Sequence, residues 1–355
     1  MITQETSSIF STLKLQAPAG VTLAIALALL IALSGLLEGS ARLIETTDLI
    51  DHPGSVGSFH MHFDPKIAGL RDFAAEQGGV DCIMFGTSMV HRGLNPAVIG
   101  PAMQAAGGEA LNCYNFGVGG VRPSQIAVFV DLLVAEYQPA VIILGTTAVE
   151  YGLADYSPPD GPLIVGAPFI QHGVGNWSLE GWLTHQSQAY RYYSAGEWWF
   201  LHRNSWQLSE LQRAQLAPDG FGVYPGDPEE TLTVPSLRSD RFREEVQYLI
   251  IPEEWAALQA ILAVEERGVD VILVEMPFVP TYWTVPGQRA TYLENFIRPL
   301  QSLADQHDAA FIAAPTLDRL PLRYWYDWRH LTVEGSTRYG EWLGWQLAQP
   351  PAASR

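Results

Sequence analysis

Three residues in this chain could together perform nucleophilic chemistry: Ser88, Asp327 and His330. A serine hydroxyl attacks a carbonyl carbon once an imidazole removes its proton, and a carboxylate holds that imidazole in the required tautomer. The Asp-x-x-His spacing places the last two residues on one short turn. Each residue also has a structural explanation, because a serine after a strand often caps a helix and an aspartate often lies on the surface.

Two glycine-containing segments could complete such a site. Residues 115–120 read NFGVGG and residues 145–147 read GTT. Glycine lets the backbone approach a ligand closely, and backbone N–H groups can stabilise a developing oxyanion. A flexible turn and ordinary helix capping are the respective alternatives. The Ser88 segment is not the Gly-x-Ser-x-Gly nucleophile elbow, because Val90 stands where the second glycine is needed.

From residue 80 onward, apolar runs alternate with helical stretches. The apolar runs have strand length and no polar alternation, which predicts a parallel sheet covered on both faces. The predicted strands are 80–85, 110–116, 140–144, 269–275 and 309–313. The predicted helices are 95–106, 123–137, 252–267, 289–306 and 331–347. This order predicts a doubly wound, three-layer α/β/α domain over residues 80–348 with a five-stranded sheet, in which four of the loops at the carboxyl ends of the strands carry the candidate functional residues.

The stretch 151–250 interrupts the alternation between the third and fourth predicted strands. Its first part is rich in aromatic residues: Trp177, Trp182, Tyr190, Tyr192, Tyr193, Trp198, Trp199, Phe200 and Trp206. A polar part that contains proline and glycine follows. We interpret this stretch as an insertion whose aromatic side chains bind sugar rings, form a lid or build a second small hydrophobic core.

An uncharged apolar segment, residues 19–37, lies near the N-terminus and matches the roughly 20 residues that span a bilayer. Lys14 and the amino terminus favour an N-inside orientation, which places the main domain outside the cytoplasm. We therefore expect a short tail (1–18), a transmembrane anchor, and a linker and entry segment (38–79). A cleaved signal peptide ending at Gly39-Ser40-Ala41 and a buried helix of a soluble domain are the alternatives.

Composition narrows the classes of function. Hydrophobic residues make up 48% of the chain and charged residues 16%, so the 355 residues can bury a sizeable core. The formal net charge of −18 would repel nucleic acid, and we expect no nucleic-acid partner.

The cysteines and one histidine pattern have ordinary explanations. We expect Cys82 and Cys113 to be small buried hydrophobic residues in two core strands, with a disulfide as the alternative. His60, His62 and Asp64 form an HxHxD pattern, but such patterns in polar loops are usually incidental and no second cluster follows. We therefore expect no metal and no cofactor.

In order and spacing, the four segments resemble the sequence blocks of the SGNH/GDSL hydrolase family. That family has a serine after its first strand, Asn-x-Gly-x-x-Gly after the second, Gly-x-Asn-Asp after the third and Asp-x-x-His near the C-terminus. The resemblance implies that Ser88 is the nucleophile and that Asp327 and His330 are its partners. It covers about residues 80–345, without the insertion.

The resemblance also implies an oxyanion hole. Asn115, Gly117 and Gly120 match the second block, with Gly120 at the family's oxyanion position. Ser88 would contribute its own N–H group. The third block departs from the family because Thr147 stands in place of asparagine, so the implied third donor is a hydroxyl with a shorter reach. The first block reads Gly-Thr-Ser rather than Gly-Asp-Ser.

An anchor followed by such a domain resembles the extracytoplasmic SGNH-like proteins that assist O-acylation of cell-surface polymers. Residues 88–96 (SMVHRGLNP) are similar to their nucleophile segment. This resemblance implies an esterase or O-acyltransferase that acts on acetyl-type esters of glycans or on small esters, with a membrane-bound O-acyltransferase as a partner. A catalytically degenerate scaffold protein and a soluble lipase or phosphodiesterase are the alternatives.

Overall fold

The computed structural model describes residues 19–47, 54–152, 161–223, 248–283, 286–314 and 320–349. The predicted N-terminal tail, with Lys14, and parts of the predicted linker and insertion lie outside these ranges. The bounds of all helices and strands refer to the described residues.

The core of the fold is a five-stranded parallel sheet with the order β2-β1-β3-β4-β5. Its strands are β1 Cys82–Gly86, β2 Cys113–Gly117, β3 Val141–Thr146, β4 Asp270–Glu275 and β5 Ala310–Ile312. Every residue of β1 and β2 is buried, which shows that both faces of the sheet are covered there. The continuous apolar runs correspond to these strands because a strand buried on both faces has no polar side to alternate with.

Helices connect the strands and cover the sheet. They are α1 Ala19–Thr46, α2 Phe63–Gln77, α3 Ser88–Gly93, α4 Pro96–Ala105, α5 Pro123–Tyr137, α6 Gly161–Gly166, α7 Pro168–Gly173, α8 Leu179–Gln186, α9 Gln188–Leu201, α10 Arg203–Ala214, α11 Pro252–Leu262, α12 Gln288–Tyr292, α13 Arg298–Gln306 and α14 Val333–Leu347. A π-helical turn, Leu293–Ile297, joins α12 to α13. The predicted α/β class is thereby confirmed.

The N-terminal segment is helical beyond the predicted anchor. Helix α1 is long and apolar enough to cross a membrane, and its apolar side chains are exposed. It continues through the proposed signal-peptide cleavage position to Thr46, and Ala41 is buried. Helix α2 occupies part of the stretch that we predicted as linker. These residues of the predicted linker and entry segment are thus helical, with α1 in contact with α9 and α2 in contact with β2.

The two cysteines are paired, so the prediction of two buried thiols was wrong and its alternative is the observed state. Cys82 and Cys113 form a disulfide and their Cα atoms lie 4.3 Å apart. The parallel register places Cys82 directly opposite Cys113 at the start of β1 and β2. The apolar surroundings that suggested buried thiols are equally those of a buried disulfide, and the pairing depends on a register that sequence does not show.

The edge strand β2 is covered in part by the insertion, at Asp219. The N–H group of Asn115 donates to the carbonyl of Asp219 at 2.8 Å. The N–H group of Gly117 donates to the side-chain oxygen of Asn115 at 2.9 Å. Two donors on the outer side of this strand are thus bonded within the chain.

The insertion folds as five described helices, α6 to α10. Trp198 is fully buried and its ring contacts those of Phe59 and Trp206. Part of the aromatic content therefore builds a small core of its own. Other aromatic side chains of this region, including Trp199 and Phe200, remain exposed.

Candidate active site

The predicted site residues follow strands at the point where the strand order reverses. Ser88 comes two residues after β1, and Thr147 follows β3, the strand on the other side of β1 from β2. In open α/β sheets this crevice outside the carboxyl ends of the strands is where ligands bind. The fold thus brings the Ser88 segment and the segments 115–120 and 145–147 together at the carboxyl ends of β1, β2 and β3.

Three glycines make room for the helix that begins with the candidate nucleophile. A Cβ atom added to Gly86 would lie 2.2 Å from Cγ2 of Val90, and one added to Gly145 would lie 2.4 Å from the same atom. A Cβ on Gly117 would lie 2.3 Å from the backbone nitrogen of His91. Gly86 also has a φ of +153°, in a region that other residues rarely adopt. Helix α3 can therefore pack against the ends of β1, β2 and β3 only because glycine stands at or near the end of each strand.

Ser88, His330 and Asp327 form a hydrogen-bonded chain. The Oγ atom of Ser88 lies 2.8 Å from Nε2 of His330, and Nδ1 of His330 lies 2.6 Å from Oδ2 of Asp327. The other oxygen of Asp327 accepts the N–H groups of Arg329 and His330 at 2.9 and 2.8 Å. His330 is buried, whereas Ser88 is partly exposed. A carboxylate that orients an imidazole toward an accessible hydroxyl is the arrangement that activates a serine nucleophile.

Electrostatics keep this imidazole neutral and its carboxylate ionised. Burial lowers the pKa of His330, and the charges of Arg329 and Arg92 add to this, although Asp327 opposes the shift. Burial alone would raise the pKa of Asp327, but its bonds to His330 and to the two N–H groups outweigh burial, so the pKa lies below its usual value. A neutral imidazole with a free electron pair at Nε2 is the form that accepts a proton.

The loop that carries this Asp-His pair is held by its own backbone and by aromatic packing. Tyr326 donates its N–H group to the carbonyl of His330 at 2.8 Å, and Val279 donates to the carbonyl of Trp328 at 3.0 Å. The Trp328 ring stacks with that of Phe278, with their centroids 5.9 Å apart. These contacts fix the orientation of the turn that presents His330.

The second block acts mainly as a support. The amide of Asn115 donates to the carbonyls of Val90 and Leu94, at 2.8 and 2.6 Å, and so ties the α3 segment to β2 at two points. Its oxygen accepts from Gly117 and from the ammonium group of Lys66. These hydrogen bonds are the contacts through which Asn115 would support the site, as its match to the second block implies.

The glycines that follow β2 pass beside the nucleophile. A Cβ atom added to Gly119 would lie 3.6 Å from Cβ of Ser88 and 2.8 Å from the ring of His62. Gly120 has a left-handed φ of +77°, which favours glycine. A side chain at Gly119 would therefore fill the space between the nucleophile and this histidine.

The third block places Thr147 next to α3 rather than in open space. Its side chain is fully buried, and its hydroxyl lies 3.9 Å from the sulfur of Met89. Its N–H group donates to Glu150 at 3.3 Å. The carboxyl group of Glu150 also accepts the hydroxyl of Thr87 at 2.7 Å, which links the first and third blocks. Burial raises the pKa of Glu150 to about 7, against the opposing effect of these hydrogen bonds.

Lys66 is a site-supporting residue that sequence reasoning missed. It is fully buried, and its ammonium group donates to the backbone and side-chain oxygens of Asn115 and to the carbonyl of Gly220. Burial lowers its pKa well below the usual value, although Asp219 opposes the shift. The available signal was its position on the apolar stripe of α2, which a solvated lysine would not occupy.

Sequence reasoning also missed Glu150, and the structure gives His60 and Asp64 structural roles. Glu150 follows β3 among apolar residues, which was the signal for a buried acid. His60 accepts the N–H groups of His62 and Phe63 through Nδ1, and so caps the start of α2. Asp64 is buried and accepts bonds from the loop before α2. Among the described residues, no group of three or more histidine, cysteine, aspartate or glutamate side chains could hold a metal ion.

No protein-family model matches the chain, and no curated protein matches it.

Proposed function

We propose that this protein is a membrane-anchored serine esterase or O-acyltransferase of the SGNH type. The observation that carries the proposal is the continuous chain from Ser88 to His330 to Asp327, with separations of 2.8 and 2.6 Å. The strand order 2-1-3-4-5 and the nucleophile directly after β1 also support an SGNH-like three-layer arrangement.

The geometry supports a two-step acyl transfer through a covalent acyl-serine. Nε2 of His330 takes the proton of Ser88 Oγ as that oxygen attacks the ester carbonyl carbon. The carbonyl oxygen becomes an oxyanion, and the tetrahedral intermediate collapses when the leaving alkoxide receives the proton from His330. Water or a sugar hydroxyl, deprotonated by His330, then attacks the carbonyl carbon of the acyl-serine ester, and the Oγ of Ser88 leaves and takes the proton back from His330. Asp327 stabilises the imidazolium in both halves of the reaction.

The N–H groups of Ser88 and Gly120 would stabilise the oxyanion. Ser88 begins a helix, and Gly120 lies one residue beyond the glycine that passes Ser88. Thr147 is the third candidate donor. Because its hydroxyl lies against Met89, we assign most of the stabilisation to the two backbone groups.

Two features support an extracytoplasmic location for the catalytic domain. Helix α1 could cross a membrane, and the paired Cys82 and Cys113 fit an oxidising environment such as the extracytoplasmic side. The N-terminus would then be cytoplasmic and the catalytic domain extracytoplasmic. The substrate we propose is an acetyl-type ester of an envelope glycan, and a membrane-bound O-acyltransferase would be the partner that supplies or receives acyl groups.

A serine-directed fluorophosphonate tests the proposal on the detergent-solubilised full chain. We expect covalent labelling at Ser88, complete loss of labelling in Ser88→Ala, and unchanged labelling in Ser302→Ala, an exposed serine on α13. Equal labelling of wild type and Ser88→Ala would remove the nucleophile assignment. No labelling of a folded wild-type chain would favour a scaffold that has kept this fold without its chemistry.

Asp327→Asn provides an independent check. The amide cannot accept the Nδ1 proton while also accepting both N–H groups, so the imidazole adopts the wrong tautomer. We expect the labelling rate to fall by about 10³–10⁴-fold with little change in thermal stability. A labelling rate within a few-fold of wild type would show that Asp327 only positions the loop.

A further inference from the structure

The second histidine of the HxHxD pattern is held by contacts with two different parts of the chain. His62 is buried where α2 begins, and the Nδ1 atom of His60 accepts its N–H group at 3.3 Å. The Nε2 atom of His62 donates to the amide oxygen of Gln212 in α10 at 3.0 Å. Since an amide oxygen can only accept, this bond requires the hydrogen on Nε2. The imidazole of His62 is thus held by a side chain of the insertion.

The ring of His62 lies against the loop that follows β2. A Cβ atom added to Gly119 would lie 2.8 Å from both Cε1 and Nδ1 of this ring. The same atom would lie 3.6 Å from Cβ of Ser88, so the ring and the nucleophile flank one short piece of backbone. The next residue, Gly120, supplies an N–H group that we assign to the oxyanion hole. His62 therefore packs beside the residue just before that donor.

Another histidine, His91, packs next to the His62 ring. His91 lies three residues after Ser88 in α3, and the two ring centroids are 4.9 Å apart. Gly222 of the insertion donates its N–H group to the carbonyl of His91 at 2.9 Å. A Cβ atom added to Gly222 would lie 2.3 Å from Nε2 of His91. The insertion therefore packs on both histidines, on one through α10 and on the other through the segment after α10.

Both imidazoles are neutral at neutral pH. Burial lowers the pKa of His62 to about 4, and the charge of Lys66 adds to this, although the bond to Gln212 opposes the shift. Burial also lowers the pKa of His91 well below its usual value. A proton on either ring would place a charge inside the protein beside the other ring, which is costly. The two rings are therefore suited to packing rather than to proton transfer.

The loop after β2 benefits from such packing. The N–H group of Val118 donates to the carbonyl of Gly86 at 2.9 Å. The two residues that follow are glycines, which adopt many backbone conformations, and Gly120 has a φ of +77°. A ring packed against Gly119 restricts this freedom before substrate binds. Oxyanion donors stabilise a transition state most when they are fixed in advance.

We propose that His62, held by Gln212, is a positioning residue that keeps the Gly120 N–H group aimed at the oxyanion. It acts through the backbone of Gly119 rather than on the substrate. The inference rests on the acyl transfer proposed above and deepens it. The insertion becomes part of the catalytic machinery, because α10 supplies the side chain that holds His62.

Steady-state hydrolysis of nitrophenyl acetate by the detergent-solubilised full chain tests the catalytic consequence. We expect His62→Ala to lower kcat by about 10- to 100-fold with little change in KM, because the displaced donor acts only on the developing charge. Gln212→Ala and His62→Phe should each cause a smaller fall of the same kind, since each keeps a ring beside Gly119 but lacks the bond. Adding Gln212→Ala to His62→Ala should have little further effect. The control is His185→Ala, which removes a histidine that bonds Phe169 within the insertion, and it should keep wild-type kinetics.

Hydrogen–deuterium exchange reports on the loop itself without a substrate. We expect peptides that cover residues 117–122 to exchange several-fold faster in His62→Ala than in the wild type, while peptides from β4 are unchanged. The same peptides should exchange at the wild-type rate in His185→Ala. Unchanged exchange at 117–122 in His62→Ala would overturn the positioning role. Faster exchange there with a wild-type kcat would also overturn it, because the loop would then not carry an oxyanion donor.

The positioning role and the proposed function fail in different ways. Wild-type exchange and kinetics in His62→Ala, with Ser88 still labelled by the phosphonate, would refute the positioning role alone. A folded wild-type chain that neither hydrolyses the ester nor reacts at Ser88 would refute the acyl transfer and this inference together. Faster exchange throughout the domain with a raised KM would show that His62 only stabilises the fold. If His62→Ala does not fold, a wild-type kcat in both Gln212→Ala and His62→Phe would overturn the proposal.

Discussion

The hydroxyl of Thr87 donates to the carboxyl group of Glu150 at 2.7 Å, so the residue just before the candidate nucleophile is bonded to a buried acid 63 residues further along the chain. The same carboxyl group accepts the N–H group of Thr147. The ends of β1 and β3 are therefore joined by one titratable group, and its protonation state bears on both loops of the site.

This bond predicts a pH-dependent stability. The pKa of Glu150 is raised from 4.5 to about 7 in the folded chain, so the fold binds its proton more tightly than the unfolded chain does. Its contribution to the free energy of unfolding is fully present below about pH 4.5 and is lost as the pH rises to about 7. We expect Glu150→Gln to remove this loss, which is on the order of a few kcal/mol.

Thermal unfolding between pH 4.5 and 8 measures this effect. Glu76→Gln, at an exposed position near the end of α2, serves as the control and should follow the wild-type curve. If Glu150→Gln loses stability with pH as steeply as the wild type, another group carries the pH dependence.

Thr147 provides a test of the oxyanion hole. Because its hydroxyl lies against the sulfur of Met89, a weak acceptor, we expect Thr147→Val to change turnover of a small acetyl ester by less than about threefold. A hydroxyl that did reach the developing charge would instead be worth about 10²–10³ in turnover. Steady-state kinetics with kcat and KM determined separately distinguish the two cases. A fall in kcat of that size without a change in KM would show that the Thr147 hydroxyl does stabilise the oxyanion.

Asn115 should contribute more to stability than its side-chain size suggests. Its amide bonds the carbonyls of Val90 and Leu94 and the ammonium group of Lys66, all inside the protein. Asn115→Ala removes these bonds, and we expect a loss of about 2–4 kcal/mol in the free energy of unfolding. Asn112→Ala, at an exposed position just before β2, is the matched control and should lose less than about 0.5 kcal/mol. Equal losses in the two variants would contradict the assigned role.

The disulfide should be present in the isolated protein. Alkylation of the denatured, unreduced full chain should modify neither Cys82 nor Cys113, and peptide mapping should find the two linked. Cys113→Ser frees one thiol and serves as the positive control. Closing a loop of 31 residues stabilises the fold by about 3–4 kcal/mol in a chain-entropy treatment, so reduction should lower the unfolding temperature. Two freely alkylated thiols in the wild type would refute the pairing.

The local patterns of the sequence predicted the elements well, because the strands are buried on both faces and the helices carry clear boundaries. The bounds predicted for α5 are those observed, with proline at its first position. The juxtaposition of Ser88 with His330, 242 residues apart, was inferred from the order of blocks and is present in the structure. Two features could not be predicted because they depend on strand register and on burial. The disulfide forms because the register places Cys82 opposite Cys113. Lys66 can be buried because β2 and the insertion supply acceptors for its ammonium group.

The insertion has a consequence for association between chains. An open edge strand is a template on which another chain can add a strand, and such addition is a common route to aggregation. In this fold the outer donors of Asn115 and Gly117 are already bonded, one of them to Asp219 of the insertion. At the opposite edge, β5 is only three residues long. The segment around Asp219 therefore protects the edge of the sheet, and a shortened chain without it would expose β2 to pairing with neighbouring copies.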